Sequence, residues 1–284
     1  LRVIRRVRLG AVALEFSDEG PRAKIPDHAR RPPVVLLHGF TGSKESWLEL
    51  REALSDSRRV VSIDLPGHGG TQAGPEPENC SMGKTAAMVT SLMADCLDAP
   101  RFSLVGYSMG GRLALAIALD HGSRVEKLVL ESASPGIADG AERARRRQSD
   151  EELAAFVEGE GIEAFVNRWE RLPLFDSLAA LSPDKREHLR RVRLRCAPLG
   201  LALSLRAMGA GAQPWLGDRL SELAIPTLLI AGALDGKFAR IAREMASLIP
   251  HARLEIIDGA GHVPHLEQSG QFNRVVAEFL NGAS

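Results

Sequence analysis

The sequence predicts an α/β fold: a mostly parallel β-sheet flanked by helices, with a helical cap inserted after the sixth strand. Three observations carry that expectation. Short runs rich in β-branched residues and leucine recur, each closed by Gly, Pro or Asp. Between several of them lie stretches with apolar residues three to four positions apart, the spacing of one helix face. The alternation stops after Glu131 and restarts only at Ile225 and Pro226.

Taken in order, residues 2–16 alternate like an antiparallel strand pair, with a turn expected near residues 17–20. The runs 34–37 and 60–63 follow, then a helical stretch at 83–97, a run at 102–105, a second helical stretch at 110–120 and a run at 127–130. Near-continuous apolar runs of this length suit parallel strands covered on both faces. From 134 to 222 there is no strand pattern, only charged segments bearing Leu and Ala, broken by Pro135, Pro173, Pro183, Pro198 and Pro214. The runs 227–230 and 254–257 complete the sheet. The chain therefore divides into a core, 1–133 with 223–284, and a helical cap, 134–222, which is too long for a plain loop and is expected to form a lid over an active site.

Composition narrows the function classes. A chain of 284 residues that is 44% hydrophobic can bury a sizeable core. Its 36 Lys+Arg balance 36 Asp+Glu, which leaves no polybasic field to draw nucleic acid or anionic lipid. No apolar run approaches the roughly 20 residues of a membrane span, and the charged start, 1–8, lacks the apolar centre of a signal peptide. A cytoplasmic protein is expected, with a monomer favoured. Cys80, Cys96 and Cys196 are odd in number and far apart, so they suggest neither a disulfide framework nor a thiolate metal site.

The most specific motif is Gly106-Tyr107-Ser108-Met109-Gly110, set between a predicted strand and a predicted helix. That context makes G-x-S-x-G a nucleophile elbow, in which a sharp turn presents Ser108 at the N-terminus of a helix. A hydroxyl needs a base, and the base an orienting carboxylate. In α/β-hydrolases these follow the serine in the order acid, then histidine. Asp235 and His262 each come shortly after a predicted strand, at the carboxyl ends where such sheets build their sites. Of the rival histidines, His38 and His68 precede the nucleophile, and His265 is three residues beyond His262. Glu131 and Asp64 also end strands and read as structural or lining groups. The oxyanion hole is expected from the backbone amides of Met109, next after the nucleophile, and of Phe40 in the loop His38-Gly39-Phe40. Arg112 lies four residues beyond Ser108 and therefore on the same helix face, where a cation reaches the site or else pairs with a neighbouring carboxylate.

A narrower resemblance covers nearly the whole chain. In order, the strings are LVGYSMGGR (104–112), SASPG (132–136), FVNRW (165–169), PLF (173–175), SLRAMG (204–209), DGKF (235–238), Gly261-His262 and HLE (265–267). Together they resemble the 2-succinyl-6-hydroxy-2,4-cyclohexadiene-1-carboxylate synthases of menaquinone biosynthesis. The resemblance implies a lyase that removes pyruvate from 2-succinyl-5-enolpyruvyl-6-hydroxy-3-cyclohexene-1-carboxylate with no metal or organic cofactor. It implies that Ser108, activated by His262 and Asp235, is a proton-abstracting base. The substrate is a polycarboxylate, and planar guanidinium groups suit carboxylates. Carried over by motif position, Arg112, Arg146 and Arg193 bind its carboxylates, Tyr107 and Trp169 line the site, and Lys237 reaches toward a carboxylate. Arg146 and Arg193 sit within arginine runs, where a slip of one residue changes the assignment, and a solvated helix face is the rival explanation for each. A buried cap aromatic is the rival for Trp169. A carboxylesterase or carbon-carbon bond hydrolase acting on an anionic substrate is the alternative enzyme, and a noncatalytic ligand receptor the alternative from another class.

Overall fold

A computed structural model describes residues 3–21 and 31–282. The strands are β1 (Val3–Leu9), β2 (Val12–Glu19), β3 (Val34–Leu37), β4 (Val60–Ile63), β5 (Phe102–Tyr107), β6 (Val125–Glu131), β7 (Thr227–Gly232) and β8 (Ala252–Ile257). They form one sheet in the order β1-β2-β4-β3-β5-β6-β7-β8. All neighbours from β4 to β8 pair in parallel; β2 runs antiparallel to both β1 and β4.

The six apolar runs fall where the sequence puts them, with β5 extending to the residue before the nucleophile and β8 standing half-buried at the sheet edge. The opening pair differs. Its turn is at Gly10, at φ 61°, and residues 17–19 belong to β2, where Phe16 to Glu19 pair with β4. Burial overrode the polar look of that segment, because Ser17, Asp18 and Glu19 lie beneath neighbouring structure. Arg2, the first residue of the expected pair, lies outside the described residues.

Helices α1 (Leu48–Leu54), α2 (Met82–Ser91) and α3 (Met109–Asp120) alternate with the strands before β6. Side-chain alternation along each strand sends Val35 and Leu37 to one face and Val34 and Leu36 to the other. Both sets are fully buried, which explains why the run reads as continuously apolar. On the first face they pack with Val89 of α2 and Leu113 of α3, on the second with Leu50 and Leu54 of α1.

Three longer helices lie between β6 and β7: α4 (Gly140–Trp169), α5 (Pro183–Leu194) and α6 (Pro198–Met208). Helix α4 breaks at Gly161, whose φ of 81° no helix accommodates. Val157, Phe165 and Val166 of α4 pack on Leu201 and Leu205 of α6, giving this segment an apolar cluster of its own. Backbone meets backbone closely between it and the core at Gly67 and Gly200: a Cβ on Gly67 would lie 2.3 Å from the Gly200 carbonyl oxygen, and a Cβ on Gly200 2.4 Å from that of Gly67. The chain ends with α7 (Gly236–Leu248), the short α8 (Pro264–Glu267) and α9 (Ser269–Asn281).

Asp64, at the end of β4, is occupied structurally. Its carboxylate accepts from Lys44 Nζ at 2.7 Å, from the Lys44 amide at 2.6 Å and from the Gly70 amide at 2.7 Å. Lys44 Nζ also meets Glu15 Oε1 at 2.6 Å. Burial disfavours the ammonium, but hydrogen bonds to Asp64 and Glu15 outweigh it and raise the Lys44 pKa.

Candidate active site

Strand β5 delivers Ser108 into a backbone conformation of φ 50°, ψ −107°, outside the ordinary regions for a non-glycine residue. Such strain persists only where surrounding structure enforces it. Here the Ser108 amide donates to Glu131 O at 2.8 Å and its carbonyl accepts from the Arg112 amide at 2.9 Å. The turn also requires its glycines: a Cβ on Gly106 would stand 2.4 Å from Gly110 O, and one on Gly110 2.1 Å from Leu37 O.

Loops after β7 and β8 bring Asp235 and His262 to this serine. Asp235 caps α7, its Oδ1 accepting from the Phe238 amide at 3.1 Å. Its Oδ2 accepts from His262 Nδ1 at 2.7 Å, which leaves His262 Nε2 to accept from Ser108 Oγ at 3.3 Å. Burial pushes the Asp235 carboxyl upward, but the His262 and Phe238 hydrogen bonds and the charge of Lys237 hold it below the usual carboxylate range. The carboxylate therefore stays ionised when the imidazole takes a proton. Phe238 packs against the His262 ring at 4.6 Å between centroids, and Tyr107 flanks it at 5.5 Å.

Among the described residues, neither the Phe40 nor the Met109 amide finds a hydrogen-bond acceptor. Both residues line the cavity that contains Ser108. Free amides at a helix N-terminus and in the facing loop are the donors an oxyanion needs.

His38 shapes that loop rather than entering the chemistry. Its Nε2 accepts from the Leu65 amide at 3.0 Å, so Nδ1 carries the proton and donates to Gly39 O at 2.8 Å. Burial lowers its pKa to about 4. His68, with its ring 5.1 Å from that of His38, is lowered to about 3 by burial and by the neighbouring imidazole. Both rings are neutral in the folded protein and bind a proton on unfolding below the ordinary histidine pKa of about 6.5. Their stabilisation is therefore complete above that value and is lost as the pH falls toward 4 for His38 and toward 3 for His68, on the order of a few kcal/mol for each ring. Urea denaturation between pH 7 and pH 4 should show that fall, with His68→Gln making it shallower by about one proton; equal slopes in the two proteins would contradict the assignment.

The cavity over Ser108 holds about 330 Å³ and is walled by core and insertion together. Arg112, Arg146, Tyr107, Trp169 and Lys237 all line it, as do Phe40, Met109 and His262. Arg112 is 9% exposed, donating from Nη1 to Gln213 Oε1 at 2.8 Å and from Nη2 to Met208 O at 2.9 Å. Both acceptors are neutral, and no carboxylate among the described residues lies within 4.0 Å of this guanidinium. Burial, then the nearby Arg146, lowers its pKa to about 10, with Asp150 opposing, so it is charged at pH 7. Arg146 is half exposed and donates to Asp150 Oδ1 at 2.8 Å. The Trp169 ring stacks on Phe165 and meets Phe40 edge-on, so it is both a packing element of the insertion and part of the cavity wall.

Arg193 does not join this group. It lies behind Tyr107 and Phe175 in an adjoining cavity of about 30 Å³, paired with Glu170 at 3.2 Å and with its guanidinium 5.1 Å from the Phe175 ring centroid. The turn of α5 points it toward the core, among Phe40, Tyr107 and His265, a direction that an arginine run does not disclose. Glu131 is also occupied elsewhere, its carboxylate accepting from His265 Nδ1 at 2.8 Å. The residues that hold Arg112 were not legible. Gln213 lies 101 positions away in a proline-broken stretch, and the Met208 contact is a backbone carbonyl.

This elbow, acid and histidine at the ends of β5, β7 and β8 define the class: residues 32–269 match the alpha/beta hydrolase fold family, to which the chain belongs. The chain is 45% identical over 271 residues, 95% of each chain, to a Bacillus subtilis (strain 168) protein provisionally named 2-succinyl-6-hydroxy-2,4-cyclohexadiene-1-carboxylate synthase. It is 34% identical to the enzyme of that name from Salmonella paratyphi C (strain RKS4594), over 90% of this chain and 96% of that one. A solved structure described as MenH from S. aureus superposes with a TM-score of 0.88 at 35% identity, covering 93% of this chain and 97% of that one. The protein is an enzyme of the 2-succinyl-6-hydroxy-2,4-cyclohexadiene-1-carboxylate synthase family. Among the described residues no helix is long and apolar enough to cross a membrane.

Proposed function

We propose that the enzyme eliminates pyruvate from 2-succinyl-5-enolpyruvyl-6-hydroxy-3-cyclohexene-1-carboxylate, giving 2-succinyl-6-hydroxy-2,4-cyclohexadiene-1-carboxylate in menaquinone biosynthesis. The observation that carries this reading is a buried, charged Arg112 without a carboxylate partner among the described residues, sharing one cavity with Ser108 and His262. A buried cation held only by neutral groups is a site prepared for an anion. The substrate offers three carboxylates, and Arg146 and Lys237 line the same cavity. Arg193, behind Tyr107, supports the wall and not the substrate directly.

In this reaction the ring C–H next to the succinyl ketone loses its proton to Ser108 Oγ, whose own proton passes to His262 Nε2. The electron pair forms a ring double bond, the existing double bond moves one position along, and the C–O bond to the enolpyruvyl group breaks. Enolpyruvate leaves with that electron pair and becomes pyruvate on protonation at its methylene carbon. The amides of Phe40 and Met109 hold the enolate oxygen formed from the ketone, and Asp235 stabilises the imidazolium. The three free cysteines, two of them buried, suit a reducing cytoplasm. Adding the substrate should release one pyruvate per diene formed, read by coupled pyruvate reduction; ester hydrolysis without pyruvate release would favour a carboxylesterase instead.

Residues 134–222 form the cap domain in this reading and close on the bound ligand, since α4 and α6 supply Arg146, Ser204 and Leu205 to the cavity. Amide hydrogen exchange across that segment should slow when product binds. Unchanged exchange throughout it would remove the lid from the mechanism.

A further inference from the structure

Two carboxylates outside the reaction described above hold the backbone around His262. Glu267 Oε2 accepts from the Gly261 amide at 2.8 Å and its Oε1 from the Val263 amide at 2.8 Å. The two oxygens of one side chain thus take the amides immediately before and after the histidine. Both of these residues are buried, and the loop between β8 and α8 has no strand neighbour to accept those donors. Glu267 is itself fixed from below, its amide donating to Val263 O at 3.0 Å. One turn away, Glu131 Oε1 accepts from the His265 amide at 2.9 Å, and the same carboxylate takes His265 Nδ1. The Glu131 backbone oxygen accepts from the Ser108 amide, so one residue ties the nucleophile's turn to the histidine's loop.

We propose that Glu267 is a positioning residue for the His262 base, clamping the backbone on both sides of it so that the ring stays aligned between Asp235 and Ser108, with Glu131 as the second anchor. The inference rests on His262 acting as base in the elimination proposed above. Its physical ground is the steepness of proton transfer with geometry. A displacement of about 1 Å at a reacting group costs on the order of 100-fold in rate, and the 3.3 Å separation from Ser108 Oγ leaves little tolerance for a longer one. Charge-assisted bonds to two amides stiffen residues 261–263, which the Glu131 anchor at His265 reaches only from beyond them.

Glu267→Gln retains the length of the side chain but turns an amide nitrogen toward one of the two N–H groups, and Glu267→Ala loses both acceptors. The expected result is a fall in kcat for pyruvate release of roughly 10-fold for Glu267→Gln and roughly 100-fold for Glu267→Ala, with KM little changed. The low-field proton resonance of the His262–Asp235 hydrogen bond should shift or broaden in ligand-free Glu267→Gln. A folded Glu267→Gln with unchanged kcat and an unchanged resonance overturns the proposal, as does a rise in KM with kcat intact, which would assign Glu267 to substrate binding. Should Glu267→Ala fail to fold, Glu267→Gln alone decides. If the unsubstituted enzyme releases no pyruvate, the elimination reading fails, while the resonance comparison still tests the clamp.

Discussion

Ser108→Ala and His262→Ala are each expected to lower kcat by roughly 10²- to 10⁴-fold, and the double variant is expected to be little worse than either single one. The reason is geometric. Among the described residues His262 Nε2 pairs with Ser108 Oγ, and Asp235 fixes the tautomer that makes it an acceptor. The serine and the imidazole are two positions of one proton path, so removing either removes the whole path. What survives is the cavity, its anion-binding groups and the two free amides. Single-turnover rates of pyruvate formation for the three variants give the comparison. Losses that multiply in the double variant would mean that the two residues act independently, and the shared proton path would have to be abandoned.

The second large effect concerns charge. Arg112→Ala should lower kcat/KM on the tricarboxylate substrate by roughly 10- to 150-fold, the equivalent of one charge-assisted hydrogen bond of about 1.5 to 3 kcal/mol. The structure sharpens the competing explanation, because Arg112 also joins α3 to the insertion through Gln213 and Met208. A neutral p-nitrophenyl ester separates the two roles at fixed ionic strength. If the guanidinium binds a carboxylate, the ester is processed by the variant as well as by the original enzyme, and the loss is confined to the charged substrate. Equal losses on both substrates would assign Arg112 to scaffolding alone. The division between KM and kcat then tells whether the contact is made equally in ground and transition states.

The parts of this site that could be read from the sequence are those in which chemistry and secondary structure coincide locally. Ser108, Asp235 and His262 each follow a strand recognisable by its apolar run, and a strand end fixes where its next residues go. The oxyanion loop at Phe40 is legible for the same reason. Arg112 follows from helical spacing alone. Arg193 illustrates the opposite case: its direction depends on how α5 packs, and a run of arginines carries no phase to reveal which one faces inward. The hairpin turn at Gly10 was obscured because residues 17–19 look polar yet lie buried, their burial set by pairing with β4 some 40 residues on. Glu131 and Asp64 are legible as structural or lining groups from their place at strand ends, but their partners, His265 for the first and Lys44, shared with Glu15, for the second, are set by the fold alone.

The reciprocal contact of Gly67 and Gly200 bears on how this scaffold can be recombined. Each residue occupies the space that the other's side chain would need, one in the turn after β4 and the other in the first turn of α6. A segment transplanted in place of residues 134–222 would have to present glycine at the position of Gly200, and the recipient to keep Gly67. A methyl group on either side would press against backbone, which cannot rotate away as a side chain does. In this chain the seating of residues 134–222 on the core therefore depends on two hydrogen atoms standing where side chains otherwise would.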